Sequence, residues 1–284
     1  MKVLVLGVSG MLGNAMFRKL SESRSLEVYG TARSASVKGF FAHELNERIV
    51  CGIDIENQDS LARILGEIKP RAVINCVGLV KQLADANDPL VALPINAILP
   101  HRLARLCNLG DARLIHISTD CVFSGARGNY REGDAPDAKD LYGRSKLLGE
   151  VDYPHAVTLR TSIIGHELSS AHSLVGWFLA QNERVKGYAR AIFSGLPTVE
   201  LAELIRDVVL PRDDLRGVYH VASAPISKLE LLRLVAKTYG KQITIEEDQD
   251  FVIDRSLNPE RFQEVTGYTA PSWSTLVKKM FEYQ

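Results

Sequence analysis

The opening of the chain constrains its fold more than any other stretch. Val3-Leu4-Val5-Leu6 is a continuous apolar run of β-branched and leucine residues, as expected of a strand covered on both faces of a parallel sheet. It runs directly into Gly7-Val8-Ser9-Gly10-Met11-Leu12-Gly13, and from Asn14 to Leu20 the apolar residues recur at helical spacing. Glycines at such a strand-to-helix turn permit a tight bend, close approach of the backbone to a pyrophosphate and close packing of helix on strand, with phosphate at the helix N-terminus. The spacing is G-x-x-G-x-x-G rather than G-x-G-x-x-G, and a plain turn would also satisfy it. Its place between an N-terminal strand and a helix favours dinucleotide binding. Gly7, Gly10, Met11, Leu12 and Gly13 are the first cofactor-binding candidates.

Strands and helices alternate from there. Leu26 to Gly30 reads as a second strand, followed by Thr31-Ala32-Arg33-Ser34 where a carboxylate would bind a ribose 2′-hydroxyl. Arg33 instead either pairs with a 2′-phosphate, favouring NADPH with NADH as the alternative, or is solvated surface. Ile49 to Ile55 is a third strand, where Asp54, next to Ile55, either accepts from the adenine amine or begins a turn. Asp59 is expected to cap a helix through Ile68. Ala72 to Gly78 is a fourth strand; at its end, beside Cys76 and Val77, Gly78 either lets the chain pass close to the nicotinamide or simply ends the strand. Asp88-Pro89 starts a helix to Leu109, with a kink or late start near Pro94 and Gly110 as its stop. Asn96 can hydrogen-bond across to a neighbouring strand. Leu114 to Ile117, Ala156 to Arg160 and Val218 to Val221 complete the set. The alternation predicts a Rossmann-type, doubly wound parallel sheet of about seven strands.

In such a sheet, ligands sit outside the carboxyl ends of the strands, so Ser118-Thr119-Asp120 at the end of the fifth strand places hydroxyls where a substrate would be. His116, inside the apolar run, reads as a core histidine. Tyr142-Gly143-Arg144-Ser145-Lys146 puts a tyrosine and a lysine four residues apart on one helical face. A lysine cation beside a phenol favours the phenolate, which makes a proton donor and acceptor usable near neutrality. Taken alone, Tyr-x-x-x-Lys equally describes an exposed helical turn running on through Leu147, Leu148 and Glu150.

Lys plus Arg equals Asp plus Glu at 34 each, so no net field recruits nucleic acid or an anionic membrane. No apolar run reaches membrane-spanning length, and the Met-Lys-Val-Leu start has no leader pattern. The four cysteines lack C-x-x-C spacing and fit a reducing cytoplasm. The seven histidines show no ligand spacing, so no protein-bound metal is expected.

Together, Gly7 to Gly13, Ser118-Thr119-Asp120 with Val122-Phe123, Tyr142 to Lys146, and Phe193-Ser194-Gly195-Leu196-Pro197-Thr198 before a helix containing Leu201-Ala202 resemble an extended short-chain dehydrogenase/reductase, and within it the dTDP-4-dehydrorhamnose reductase group. The resemblance implies nicotinamide-dependent reduction of a nucleotide-linked 4-keto-6-deoxyhexose in making a deoxysugar for surface polysaccharide. It assigns the proton donor to Tyr142, the assisting lysine that also holds the nicotinamide ribose to Lys146, and the hydroxyl partner to Thr119. It adds Ser118 to the cofactor set, and Asp120, Val122, Phe123, Trp177, Ser194 and Arg255 to the substrate set. Arg255 either meets diphosphate oxygens or forms a surface salt bridge. Cys121 stands where relatives often have an aromatic residue. The carboxylates some relatives use near a dimer metal are not evident, and a homodimer is compatible with the resemblance.

The expected division is a cofactor domain over residues 1–165, rejoined by about 198–223, and a substrate lobe of 166–197 and 224–284. In that lobe His166 to Lys186 reads as an amphipathic helical stretch carrying Trp177, as core and lid rather than a base-stacking platform. Thr198 to Leu210 is a helix, a helix starts at Ser227, a short strand covers Ile243 to Ile245, and the acidic run Glu246 to Asp250 is a solvated loop. Competing readings are a UDP-N-acetyl-4-keto-6-deoxyhexosamine reductase, an epimerase or dehydratase of the same family that retains NAD, and a non-catalytic cofactor-binding regulatory subunit.

Overall fold

The computed structural model describes residues 1–79 and 87–283. β1 (Lys2–Leu6) pairs in parallel with β2 (Glu27–Ala32) on one side and β4 (Ala72–Asn75) on the other. β2 pairs in parallel with β3 (Ile49–Cys51), and β4 with β5 (Arg113–Thr119). With β6 (Ala156–Thr161) and the strand Gly217–His220 they form one seven-stranded sheet, ordered Gly217–His220, β6, β5, β4, β1, β2, β3. The chain runs outward from β1 to β3, then restarts at β4 on the other side, so the strand order reverses between β1 and β4. The doubly wound sheet read from the sequence is the one observed.

Burial explains why these strands need helices on both faces. Val3, Leu4, Val5, Val28, Val73, Ile74, Leu114, Ile115, Val157 and Leu159 have no exposed surface. Such strands have no solvent face, and βαβ crossovers supply the cover. Leu61 and Ile64 of α2 (Gln58–Ile68) and Leu103 and Cys107 of α3 (Leu99–Leu109) pack with Leu4, Leu6, Val73 and Leu114 in one cluster.

Several boundaries differ from expectation for local reasons. β3 stops at Cys51 rather than Ile55 because Gly52 turns the chain at φ 75°. Asn57, not Asp59, caps α2, accepting from Ser60 N at 3.0 Å. The helix from Pro89 is interrupted, as the prolines imply: Pro89–Ala92 is α-helical, Leu93–Ile98 makes a π-turn through Pro94, and α3 follows. Opening the ladder to a wider turn accommodates a proline that cannot donate.

The residues cluster by contact into two compact units: 1–118, 139–159 and 202–218, then 119–138, 160–201 and 219–284. The second has its own core of Val175, Phe178, Phe193, Leu231, Val235, Val277 and Met280, with Trp273 against it. Here the stretch from His166 to Lys186 is a helix only over Leu174–Ala180; Arg184–Tyr188 is a strand. The acidic run is not a loop either. Thr244–Asp248 pairs in parallel with that strand, and Arg184–Glu246 (3.0 Å) and Lys186–Asp248 (2.9 Å) neutralise its carboxylates across the pair. No helix among the described residues is long and apolar enough to cross a membrane.

Candidate functional site

The turn after β1 is shaped by what its glycines lack. Gly7 sits at φ 84°, and a Cβ there would lie 2.8 Å from Val77 Cγ2. A Cβ on Gly13 would lie 2.0 Å from the Gly7 carbonyl oxygen, so only glycine lets α1 (Met11–Ser21) seat on the turn. No side chain caps α1 at Gly10; Leu12 is buried and Met11 half-buried. Such a helix end suits an anion. Arg33 follows β2 and is exposed, as is Asp54, whose Oδ1 accepts from Glu56 N at 2.9 Å. Ile55 and Val77 pack against the core. Burial pushes the Cys76 thiol up to about 12, so it is neutral. A Cβ on Gly78 would stand 3.4 Å from Asn96 Oδ1 and 3.7 Å from Lys146 Nζ, so the glycine leaves that approach open. These bare backbone surfaces at the ends of β1 and β4, where the strand order reverses, fit a dinucleotide.

Tyr142 and Lys146 lie one turn apart on α4 (Leu141–Leu148), which Asp140 caps by accepting from Gly143 N at 2.7 Å. The helix ends at Gly149, short of Glu150. Lys146 is only 5% exposed, and its Nζ donates to the Ile117 carbonyl at 2.8 Å, near the end of β5. Burial pulls the ammonium down to about 8, against the opposing pull of Glu150 and Cys76. Ser145 Oγ donates to the Tyr142 carbonyl at 2.9 Å. Asn96 reaches the loop after β4 and the helix α4: its Oδ1 accepts from Leu79 N at 2.9 Å and its Nδ2 donates to Ser145 Oγ at 3.2 Å. Ser118 Oγ donates to Glu150 Oε1 at 2.7 Å. His116 is wholly buried with Nδ1 3.1 Å from Asn75 Nδ2, and burial holds it neutral. It is a core histidine.

A second group belongs to the other unit, whose first segment starts at Thr119. Thr119 Oγ1 accepts from Cys121 N and donates to Asp120 Oδ1, each at 3.1 Å. Burial raises the buried Asp120 carboxyl, while the Arg255 guanidinium pulls it down. Arg255 Nε donates to the Phe123 carbonyl at 2.8 Å. Val122 and Phe123 have no exposed surface: Phe123 stacks on Tyr130 at 4.1 Å, with Arg160 over its ring at 5.3 Å. Ser194 is buried, and its Oγ accepts from Leu257 N at 3.0 Å. Trp177 lies on the helix Leu174–Ala180, 38% exposed. Asp120, Cys121 and Arg255 are thus brought together around Thr119, whereas Val122, Phe123 and Ser194 are engaged in packing and backbone contacts.

Two residues of these groups escape a motif reading. Lys228 faces Asp120, Cys121 and Arg255 electrostatically. Its signal is local: a lysine in the first turn of a helix opposes the dipole, and Ser227-Lys228-Leu229-Glu230 marks a helix start. Glu150 is the other; its spacing four after Lys146 is the only hint.

The whole chain, residues 1–284, matches the family described as RmlD substrate binding domain. The chain belongs to that family. Among curated relatives, a probable low-salt glycan biosynthesis reductase of Haloferax volcanii is 33% identical over 62% of this chain, a match spanning 58% of that protein's length. Methionine adenosyltransferase 2 subunit beta of Danio rerio is 26% identical over 84% of this chain and 74% of its own. dTDP-4-dehydrorhamnose reductase of Salmonella typhimurium is 25% identical over 99% and 97%. The crystal structure of dTDP-4-dehydrorhamnose reductase from Bacillus anthracis in complex with NADP superposes with a TM-score of 0.81 at 22% identity, covering all of this chain and 98% of that one. At that identity the likeness is one of fold. This member of the RmlD family therefore shares the α/β architecture of the reductases.

Proposed function

We propose that the protein reduces the 4-keto group of a nucleoside-diphosphate 4-keto-6-deoxyhexose with NADPH. The observation that carries this reading is the buried Lys146, one turn from Tyr142, with its Nζ held on Ile117 O beside the bare face of Gly78. The family membership, the full-length reductase relative and the exposed Arg33 in place of a ribose-binding carboxylate support it.

Gly7, Gly10 and Gly13 would hold the pyrophosphate, Arg33 the 2′-phosphate, and Lys146 the nicotinamide ribose. NADPH, when bound, supplies the hydride. Tyr142 donates the proton to the carbonyl oxygen, with the Lys146 ammonium lowering the cost of the phenolate left behind. Thr119, turning its hydroxyl hydrogen away from Asp120 Oδ1, contributes it to the negative charge developing on that oxygen. Asp120 and Arg255 bind the sugar and diphosphate.

NADPH deuterated on its transferred position tests the reaction directly. Deuterium at C4 of the product sugar, seen by NMR with one NADPH consumed per sugar, is the expected result; product without deuterium would mean an epimerase or dehydratase. The subunit beta relative favours one other reading, a cofactor-binding regulatory subunit. NADPH binding without turnover of any 4-ketosugar would support that reading instead.

A further inference from the structure

Lys146 is almost wholly buried, and a buried ammonium needs a nearby negative charge to remain charged. Among the described residues, the groups that face it come from three directions. From the end of β4 comes Cys76, neutral at working pH. From β5 comes His116, held uncharged by its burial. From α4 and the residues after it come Tyr142, one turn away, and Glu150, four residues on. Of these, Glu150 brings the carboxylate, and its charge opposes the effect of burial on Lys146. It is also fixed in place: Ser118, 5% exposed, donates to Glu150 Oε1 at 2.7 Å, one residue along β5 from the Ile117 carbonyl that holds Lys146 Nζ at 2.8 Å. A carboxylate and an ammonium are thus tied to successive residues of one strand.

We infer that Glu150 is a positioning residue for the Tyr142–Lys146 pair: its carboxylate, held by the Ser118 hydroxyl, is the fixed charge against which Lys146 stays an ammonium. This assigns the Ser118 hydroxyl to Glu150 rather than to the cofactor. It rests on the reductase reading for its consequence in catalysis, though the effect on Lys146 stands apart from any substrate. Glu150→Gln is the informative change, because the amide keeps the shape and still accepts from Ser118 while the charge is gone.

The protein is prepared with lysines carbon-13 labelled at Cε, and the Lys146 resonance is assigned as the one lost in Lys146→Met. In the wild type that resonance should titrate near 8. In Glu150→Gln, and in Glu150→Ala measured as the second variant, the midpoint should fall by about one pH unit. Glu150→Asp, which keeps the charge, should stay closer to the wild type. On a reducible 4-ketosugar the alkaline limb of kcat should move down by the same interval, giving turnover that approaches about tenfold less than wild type above the wild-type midpoint and nearly equal turnover near pH 6. An unmoved Lys146 midpoint in both charge-removing variants overturns the inference, whatever the enzyme reduces. A moved midpoint in a protein that reduces no ketosugar upholds the charge pairing and overturns the reductase reading alone.

Discussion

Asn96 Nδ2 donates to Ser145 Oγ at 3.2 Å while Asn96 Oδ1 accepts the Leu79 amide at 2.9 Å, so one buried side chain in the π-turn ties the loop after β4 to the helix of Tyr142 and Lys146. The backbones there are as close as glycine allows: a Cβ on Gly149 would lie 1.9 Å from Asn96 O. Asn96→Leu keeps the volume and leaves those polar groups without their partner. It should cost about 1–3 kcal/mol, read from urea unfolding, and lower kcat more than it raises KM. An unchanged unfolding midpoint would contradict this.

Gly13→Ala tests the cofactor turn. The new Cβ meets the Gly7 carbonyl unless α1 moves off the turn. NADPH affinity should fall at least tenfold, measured by quenching of protein fluorescence, and stability should drop by roughly 1–3 kcal/mol. Affinity and stability equal to wild type would mean that the turn does not hold the dinucleotide.

Arg33→Asp tests the choice of cofactor. A carboxylate repels a 2′-phosphate and accepts from a 2′-hydroxyl, so the ratio of kcat/KM for NADPH over NADH should fall by about tenfold or more. A constant ratio would make Arg33 a bystander on the surface.

Lys146 carries a pH signature in stability. Its folded-state value near 8 lies below the ordinary 10.5, so between those values the unfolded chain binds more protons and stability rises with pH. Below about pH 8 the full cost of the buried charge is present, on the order of 3 kcal/mol. Lys146→Met removes that cost together with the bond to Ile117 O. It should therefore be more stable than wild type near pH 7, with the gap closing toward pH 10.5, while turnover is lost. A stability difference independent of pH would contradict it.

Much of the sheet was legible because its strands are apolar on both faces and end in glycine or hydroxyl residues, as Val3 to Gly7 and Ile115 to Thr119 do. Tyr142 and Lys146 were legible because four-residue spacing fixes a helical face. Glu246 to Asp250 misread as a loop because its partners, Arg184 and Lys186, lie some sixty residues away and no local pattern announces them. Phe123 sits in a motif shared with the resembling family, yet its ring is spent on Tyr130 and Arg160, contacts formed only in the folded chain. Lys228 and Glu150 leave only faint local signals, a lysine opposing a helix start and a four-residue spacing, and folding is what sets charges beside them.

The central claim is tested most directly by incubating the purified protein with NADPH and a panel of dTDP- and UDP-linked 4-keto-6-deoxysugars and following nicotinamide absorbance. At least one sugar should be reduced, and Tyr142→Phe should bind NADPH as the wild type does while turning that sugar over about 100-fold or more slowly. No consumption with any member of the panel, or full turnover by Tyr142→Phe, would contradict the account.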